Sequence, residues 1–189
     1  MSVVATAWRL GVLGAVAAAA LAGVDAFTHA RIEANEHRVT LRPLVDVTGD
    51  ARVANLRGPS VPPLTICSAS GTPLYRVFVH TASGYAGRIR LLIGLDAANR
   101  LTGVRAVSHR ETTGIGDAID TARSSWILRF NGLSADDVAL TADGGRIDAI
   151  SGASVTSRAV VESVRGALAV ASSDAAGAPA RNCSGVIDE

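Results

Sequence analysis

The segment 146–171 limits the fold most narrowly, because it predicts a strand, a tight turn and a helix in immediate succession. Residues 146–150 are strand-like. Residues 155–171 carry an apolar side chain every four positions, which is the spacing of one helix face; these are Val160, Val164 and Leu168. Between the two elements lies the stretch Asp148 to Ser157, which holds four hydroxyl side chains and one glycine. A helix is therefore predicted to begin inside an accessible cluster of hydroxyl groups.

Strand-forming stretches precede this segment and predict a sheet. Leu74 to Val79, Tyr85 to Asp96 and Leu101 to Ser108 are rich in strand formers and are separated by turn residues, which is typical of an antiparallel meander. A helix is expected over Ala118 to Phe130, with Trp126, Ile127 and Phe130 on one side. An antiparallel sheet with flanking helices belongs to the α+β class.

The N-terminus carries an uncharged apolar run, Leu10 to Val24. It suits a transmembrane anchor if the flanking residues are counted, because a spanning helix needs roughly 17–25 residues. It also suits the apolar core of a cleaved signal peptide. Both interpretations predict that the rest of the chain is exported.

The remaining domain boundaries follow from changes in composition. We expect an N-terminal membrane anchor over 1–28, a stalk helix and proline-containing linker over 29–72, one globular domain over 73–171, and a flexible tail over 172–189. A chain of 189 residues is long enough for one such domain with an appendage.

Charge, aromatic content and cysteine spacing exclude several functions. A net charge of +1 and an aromatic content of 4% give neither the basic field nor the stacking platforms of a nucleic-acid-binding protein. Cys67 and Cys183 are too few and too far apart for an iron–sulfur or zinc site, so no metal is predicted. They are either a disulfide outside the cytoplasm or two unrelated thiols.

The hydroxyl-rich turn permits two interpretations. Serine and threonine favour helix N-termini as capping residues, which needs no further function. Alternatively, a phosphate attached to Ser154 would be stabilised at the expected N-cap, because the first helix amides and the helix dipole favour negative charge there.

Three motifs in order resemble those of a known family. They are the Gly84-Tyr85-Ala86-Gly87 strand, the loop His109-Arg110-Glu111-Thr112-Thr113-Gly114-Ile115-Gly116, and the turn Asp148 to Ser157. Together they resemble the FMN-binding domain of the G subunit of the Rnf electron-transport complex. The C subunit of the sodium-pumping NADH:quinone reductase is similar. The last motif resembles the signature in which FMN is esterified to the hydroxyl residue that follows alanine.

The resemblance implies the site residues. Ser154 is the expected ester oxygen, although the family usually has threonine there, and Thr156 is an alternative acceptor. Asp148, Ser151, Gly152 and Ala153 complete the attachment signature. Glu111, Thr112, Thr113 and Gly114 belong to the loop expected near the flavin ring, where the family usually has proline at position 113. His109 is expected to form a structural hydrogen bond.

The resemblance also implies a function. It indicates a flavoprotein subunit that relays electrons through covalent FMN in a chain between ferredoxin and NAD, coupled to ion movement and not catalytic alone. Expected partners are the other membrane and peripheral subunits of the complex and, during maturation, a flavin transferase. The expected location is the bacterial inner membrane, with one span and a periplasmic globular domain. The alternatives are the C subunit of the quinone-reducing pump and a non-redox exported binding module.

Overall fold

A computed structural model of the chain describes residues 11, 14, 15, 18, 41–58, 62–177 and 183–187, with the side chains of 174–177 left aside. The chain divides into two units, Met1–Val39 and Thr40–Glu189. In the first unit, the four described residues are helical. The other residues of the predicted anchor, and those of the predicted stalk as far as position 40, lie outside the described residues. No helix among the described residues has the length and apolar character needed to cross a membrane.

One five-stranded sheet organises the described part of the second unit. Its strands are β1 (Leu64–Ser68), β2 (Pro73–Ser83), β3 (Arg88–Asp96), β4 (Leu101–Ser108) and β5 (Gly185–Ile187), in the order β4-β3-β2-β1-β5. The first four strands pair antiparallel, as the predicted meander requires. β5 pairs parallel with β1, so the sheet is mixed and the prediction of a purely antiparallel sheet is wrong.

Helical segments cover both faces of the sheet. Residues 41–48 form helix α1 on one face, and Ser154–Gly177 form helix α2 on the other. Alternate residues of β3 point to the α2 face and are fully buried there; these are Ile89, Leu91, Ile93 and Leu95. Leu92, which lies between them, packs with the α1 side. The fold is α+β as expected, and both sheet faces contribute to its core.

Two paired glycines allow α1 to approach the sheet closely. Gly94 and Gly103 lie opposite each other on β3 and β4. A Cβ at Gly94 would collide with Val47 Cγ1, and a Cβ at Gly103 would lie 2.6 Å from the Val47 carbonyl oxygen. Thr102 Oγ1 donates a hydrogen bond of 2.8 Å to the same carbonyl. The helix end is therefore fixed to the sheet by both packing and hydrogen bonding.

The helix predicted over 118–130 does not form. Two 3-10 helices, Gly116–Ile119 and Trp126–Phe130, stand there instead. Between them Asp120 Oδ1 accepts from the Ala122 N–H at 2.9 Å, and Ser124 Oγ donates to the Ala118 carbonyl at 2.6 Å. Side chains that bind nearby backbone groups compete with helix hydrogen bonds and end the helix. The strand predicted over 146–150 is likewise reduced to a single bridge between Leu140 and Ile147.

The C-terminal segment is not a flexible tail throughout. Helix α2 extends to Gly177. β5 pairs in parallel with β1, and its central residue Val186 forms an antiparallel bridge with Arg57. Cys67 and Cys183 form a disulfide with a Cα–Cα distance of 5.7 Å. The sheet extends beyond the predicted domain limits of 73 and 171, because β1 precedes the first limit and β5 follows the second.

Candidate functional site

The hydroxyl-rich turn leads directly into α2. Gly152 has φ +77°, a left-handed conformation that glycine adopts without strain. The Ser157 N–H donates to the Ala153 carbonyl at 2.9 Å, which is the first hydrogen bond of the helix. Ala153 therefore occupies the N-cap position and Ser154 is the first helical residue, so the helix begins one residue earlier than predicted and Ser154 is not its N-cap. The side chain of Ser154 is exposed.

Ser157 fixes the turn from inside. Its side chain is fully buried; its Oγ donates to the Ala153 carbonyl at 2.9 Å and accepts from the Ile150 N–H at 2.9 Å. Both hydrogen bonds connect the turn to the first turn of α2. Ser154 is thus exposed on a turn whose backbone is held by the chain itself.

Thr156 is buried and already bonded. Its side chain is 1% exposed, and its Oγ1 donates a short hydrogen bond to Glu111 Oε2. The hydroxyl of Ser154, two residues earlier, is exposed. Of the two predicted acceptor hydroxyls, only Ser154 is open to a modifying enzyme.

Glu111 joins the three sequence motifs. Its side chain is 6% exposed, and its Oε1 accepts from the Ala86 N–H at 3.0 Å while its Oε2 accepts from Thr156. Two glycines make room for it. A Cβ at Gly84 would collide with Glu111 Oε1, and one at Gly116 would lie 2.9 Å from Glu111 Cβ. The Gly84 hairpin, the Glu111 loop and the start of α2 therefore meet at one buried carboxylate.

The loop after Glu111 is a compact turn that reaches the hydroxyl-rich segment. The Thr112 carbonyl accepts from the Gly116 N–H at 2.9 Å. Gly114 has φ +80°, and its N–H donates to Asp117 Oδ1 at 2.8 Å. Thr112, Thr113 and Gly114 are exposed. The side chain of Ile115 lies in van der Waals range of Gly152, at 3.5 Å from a Cβ built there. Asp117, which the sequence reasoning missed, is a buried acid that orders this loop.

Ser151 is exposed on the turn, whereas Asp148 and His109 have structural partners. Asp148 pairs with Arg129 at 2.7 Å, and its carbonyl accepts from Trp126 Nε1 at 2.6 Å. Trp126 is buried and packs edge-on against Phe130, as expected of core residues. His109 Nδ1 accepts from the Glu111 N–H at 3.3 Å, a hydrogen bond of the kind expected of a structural residue.

A groove of about 490 Å³ opens beside Ser154. It lies between the end of β2 and one face of α2, and is lined by His80, Thr81, Ala82, Ser83, Ser154, Val155, Arg158, Ala159, Glu162 and Ser163. Two of the lining residues, His80 and Ser163, are hydrogen-bonded through Nδ1 and Oγ at 3.1 Å. Sequence reasoning missed the lining on α2, although its helical spacing after Ser154 is a readable signal. No three metal-ligating side chains cluster within the described ranges.

The residues present fit a flavin phosphate. An exposed hydroxyl stands at the N-terminus of a helix, where backbone amides and the helix dipole favour an anion. Arg158 lies one turn further along and lines the same groove, with Asp143 at 2.8 Å as its present partner. The groove volume falls within the range of small-molecule sites.

Comparison with known proteins agrees with this geometry. The family model described as the FMN-binding domain matches residues 84–169, which contain all three motifs. The G subunit of the ion-translocating oxidoreductase complex from Pseudomonas aeruginosa is 34% identical over 187 residues, covering 88% of this chain and 87% of the relative. The corresponding protein from Shewanella loihica is 34% identical over 188 residues, covering 89% of each chain.

Identity is higher over a shorter stretch in another relative. The G subunit from Pasteurella multocida is 48% identical over 87 residues, covering 43% of each chain. The full-length similarity and the matched domain lead to one assignment. This chain belongs to the family of G subunits of the ion-translocating oxidoreductase complex and contains an FMN-binding domain.

Proposed function

We propose that this chain is an electron-carrying subunit of an ion-translocating oxidoreductase, with FMN joined to Ser154 by a phosphoester. The observation that carries the proposal is the contrast within one turn. Ser154 is exposed at the start of α2, whereas the hydroxyls of Thr156 and Ser157 are buried and bonded. An ester forms only on an oxygen that a transferase can reach, which favours Ser154 over Thr156.

The attachment reaction balances with a flavin dinucleotide as donor. The Ser154 oxygen bonds to the flavin phosphate and displaces the nucleotide leaving group, which takes up the hydroxyl proton. The product phosphodiester is an anion at the first turn of α2. The helix dipole stabilises such a charge by about 0.3–1 kcal/mol at an exposed position. The guanidinium group of Arg158, which lines the same groove, adds a positive charge to the effect of the helix dipole.

Some residues around the turn hold its backbone in place, and others are exposed where they can contact the flavin. Ser157 and Glu111 hold the backbone from inside through their hydrogen bonds. Thr112, Thr113 and Gly114 are exposed on the loop whose next residue reaches Gly152. We infer that this exposed part of the loop faces the flavin. Bound FMN supplies the electron transfer, and the protein supplies position and electrostatics.

The relatives' name supports a place in a larger assembly. They are subunits of an ion-translocating oxidoreductase complex, which favours the G-type assignment over the quinone-reductase C subunit. We propose that this chain relays electrons between ferredoxin and NAD together with the other membrane and peripheral subunits, and that it is not catalytic alone.

A periplasmic position of the globular domain is part of the same proposal. It follows from residues 1–28 acting as a single inner-membrane anchor with the domain exported. The Cys67–Cys183 disulfide supports it, because disulfides persist in the periplasm and are rare in the cytosol.

Covalent flavin is tested by in-gel fluorescence. The full chain is produced with a flavin transferase, denatured, separated and illuminated. We expect a fluorescent band for the native sequence and for Ser154→Thr, and a dark band for Ser154→Ala. Ser173→Ala is the matched control, because Ser173 is an exposed serine of α2 away from the turn, and it should stay fluorescent. A dark band for the native sequence would reject covalent FMN and favour a non-redox binding module. Fluorescence in Ser154→Ala would reject the site.

A further inference from the structure

The end of the sheet face beyond α1 is open to solvent. Alternate residues of β3 point to this face. Leu92 is buried there on the α1 side, whereas Arg90 and Arg88, which lie nearer the start of the strand, are exposed. Residues directly opposite on neighbouring strands share a face, and those opposite the two arginines are exposed hydroxyl residues. We call the resulting set the open face: Thr81, Ser83, Arg88, Arg90 and Ser108.

The two arginines of the open face carry their charge without a counter-ion in the described part of the chain. Among the described residues, neither Arg88 nor Arg90 forms an ion pair or a side-chain hydrogen bond. Arg105, further along the same face, instead donates to the carbonyls of Val104 at 2.8 Å and Asp46 at 2.7 Å. A guanidinium is a planar fork that fits the two oxygens of a carboxylate. The open face therefore offers two such forks beside three hydroxyl groups.

Charge is distributed unevenly between the sheet and the layer on its α2 face. Residues 51–110, which contain β1 to β4, carry eight arginines and a single acid, Asp96, although the whole chain has a net charge of only +1. Residues 111–171 carry eight acids and five arginines, and their 3-10 helices and α2 pack on the opposite face from α1. Such an asymmetry gives the sheet side a positive potential that attracts an acidic partner.

Helix α1 makes the open face a recess. A helix with its side chains is about 10–12 Å across, so α1 rises above the strands that it leaves uncovered. A flat bilayer approaching this side would therefore meet α1 first. A protruding protein segment, in contrast, can lie beside α1 and reach Arg88 and Arg90, which favours a protein over a lipid surface as the occupant.

We propose that the open face binds a carboxylate-rich segment of another subunit of the complex. The proposal rests on the proposed assembly with other subunits and not on flavin attachment. The two guanidinium groups pair with Asp or Glu side chains of that segment, and the hydroxyl groups donate to the carboxylate oxygens that remain. Charge complementarity of this kind sets which partner binds, and in which orientation, more than it adds affinity.

The composition of the chain permits a direct test of the occupant. All eighteen basic residues are arginines, so Arg90→Lys introduces the first side-chain amine. A carbodiimide joins an amine to a carboxylate in contact with it, and the water lost in forming the amide converts the carbodiimide to a urea. In the purified complex we expect mass spectrometry to show position 90 joined to an Asp or Glu of another subunit. Arg165→Lys is the matched control, because Arg165 is exposed on α2, and it should not give this product.

A second measurement tests the energetic contribution of the open face. The complex lacking this subunit is purified in detergent and titrated with the full chain. Arg90→Gln should raise the dissociation constant by up to about fivefold, the upper end for one exposed ion pair. Arg90→Glu should raise it further, because like charges then face each other. Arg165→Glu makes the same change of charge on α2 and should leave the dissociation constant unchanged.

Four outcomes would overturn the inference. One is an assembled complex in which neither Arg88→Lys nor Arg90→Lys is joined to another subunit. A second is the same product from Arg165→Lys. A third is an Arg90→Glu variant that binds the complex normally but binds less to vesicles containing anionic lipid, which would make the occupant a membrane. The fourth is a native chain that does not bind the complex, which would reject the proposed assembly as well. In-gel fluorescence on the same samples separates these results from a failure of flavin attachment, which by itself gives only a dark band.

Discussion

Removal of the Glu111 carboxylate should destabilise the fold and loosen the attachment turn together. The side chain accepts hydrogen bonds from the Ala86 N–H and from Thr156 Oγ1, and all three groups lie at the meeting point of the motifs. Glu111→Ala leaves both donors without this partner. An unsatisfied buried donor costs about 1–3 kcal/mol, and this cost applies to Thr156, because Ala86 is exposed and its N–H can bond to water. The expected loss of unfolding free energy is therefore ~1–3 kcal/mol. That is a large share of the roughly 5–15 kcal/mol by which a domain is stable.

A double-mutant cycle isolates the Glu111–Thr156 contact. Thr156→Val removes the hydroxyl with little change of shape, and the cycle compares it with Glu111→Ala and with the double variant. We expect a coupling energy of about 1.5–3 kcal/mol, the range for hydrogen bonds to charged groups. Glu111→Gln should be milder, because its amide oxygen still accepts from Ala86 and its amide nitrogen donates to the threonine oxygen.

Urea unfolding followed by circular dichroism measures these energies, and in-gel fluorescence measures flavin attachment to Ser154 in the same samples. Glu162→Ala is the control, because Glu162 is an exposed acid on α2. Its effect should remain within about 0.5 kcal/mol of the native sequence. If Glu111→Ala were as stable as Glu162→Ala, or if the cycle showed no coupling, the carboxylate would not be the connection between the motifs.

Two further predictions concern the periphery of the fold. Cys183→Ser opens the disulfide that spans 116 residues, and the loop-entropy relation puts the loss of unfolding free energy at about 4–5 kcal/mol. Urea titration should show this loss. A reductant should destabilise the native sequence but not the variant. The pKa of Asp50 lies below its ordinary value of 3.8, first because of its hydrogen bond with Arg52 and also because Tyr75 donates to it. A carboxyl group whose pKa is lower in the folded state than in the unfolded state stabilises the fold at pH values above its unfolded pKa. This contribution is lost as the pH falls through the folded pKa. Asp50→Asn should therefore weaken the dependence of the melting temperature on pH below pH 3.8. If the melting temperature of the variant fell with pH as steeply as that of the native sequence, this account would be contradicted.

The elements that the sequence predicts correctly are those whose signals are local. The strands β2, β3 and β4 are rich in strand-forming residues and are separated by turn residues, and α2 repeats its apolar positions over several turns. β1 falls inside the predicted linker, because prolines precede its five residues. β5 has only three residues, and it depends on the disulfide and on pairing with segments more than 100 positions away. Long-range pairing of this kind leaves little trace in local composition.

The attachment site shows the same division between local and distant information. The turn from Asp148 to Ser157 is predictable from its own residues, and its hydroxyls fall where a helix begins. Sequence alone could not rank Ser154 against Thr156 by accessibility, because the difference is one of burial. Burial of Thr156 depends on Glu111, which lies 45 residues away along the chain.

The packing of Glu111 against the two glycines gives a physical reason why these motif residues occur together. A Cβ at Gly84 or at Gly116 would collide with the Glu111 side chain, so each glycine is required by a residue of another motif or of the same loop. Neither constraint involves a flavin. Part of what resembles a cofactor signature is therefore a packing requirement, and only the exposed positions remain free to meet a ligand. On this view the substitutions at position 154 and at position 113 fall on exposed residues, where the internal contacts of the fold leave the choice between serine and threonine, or threonine and proline, open.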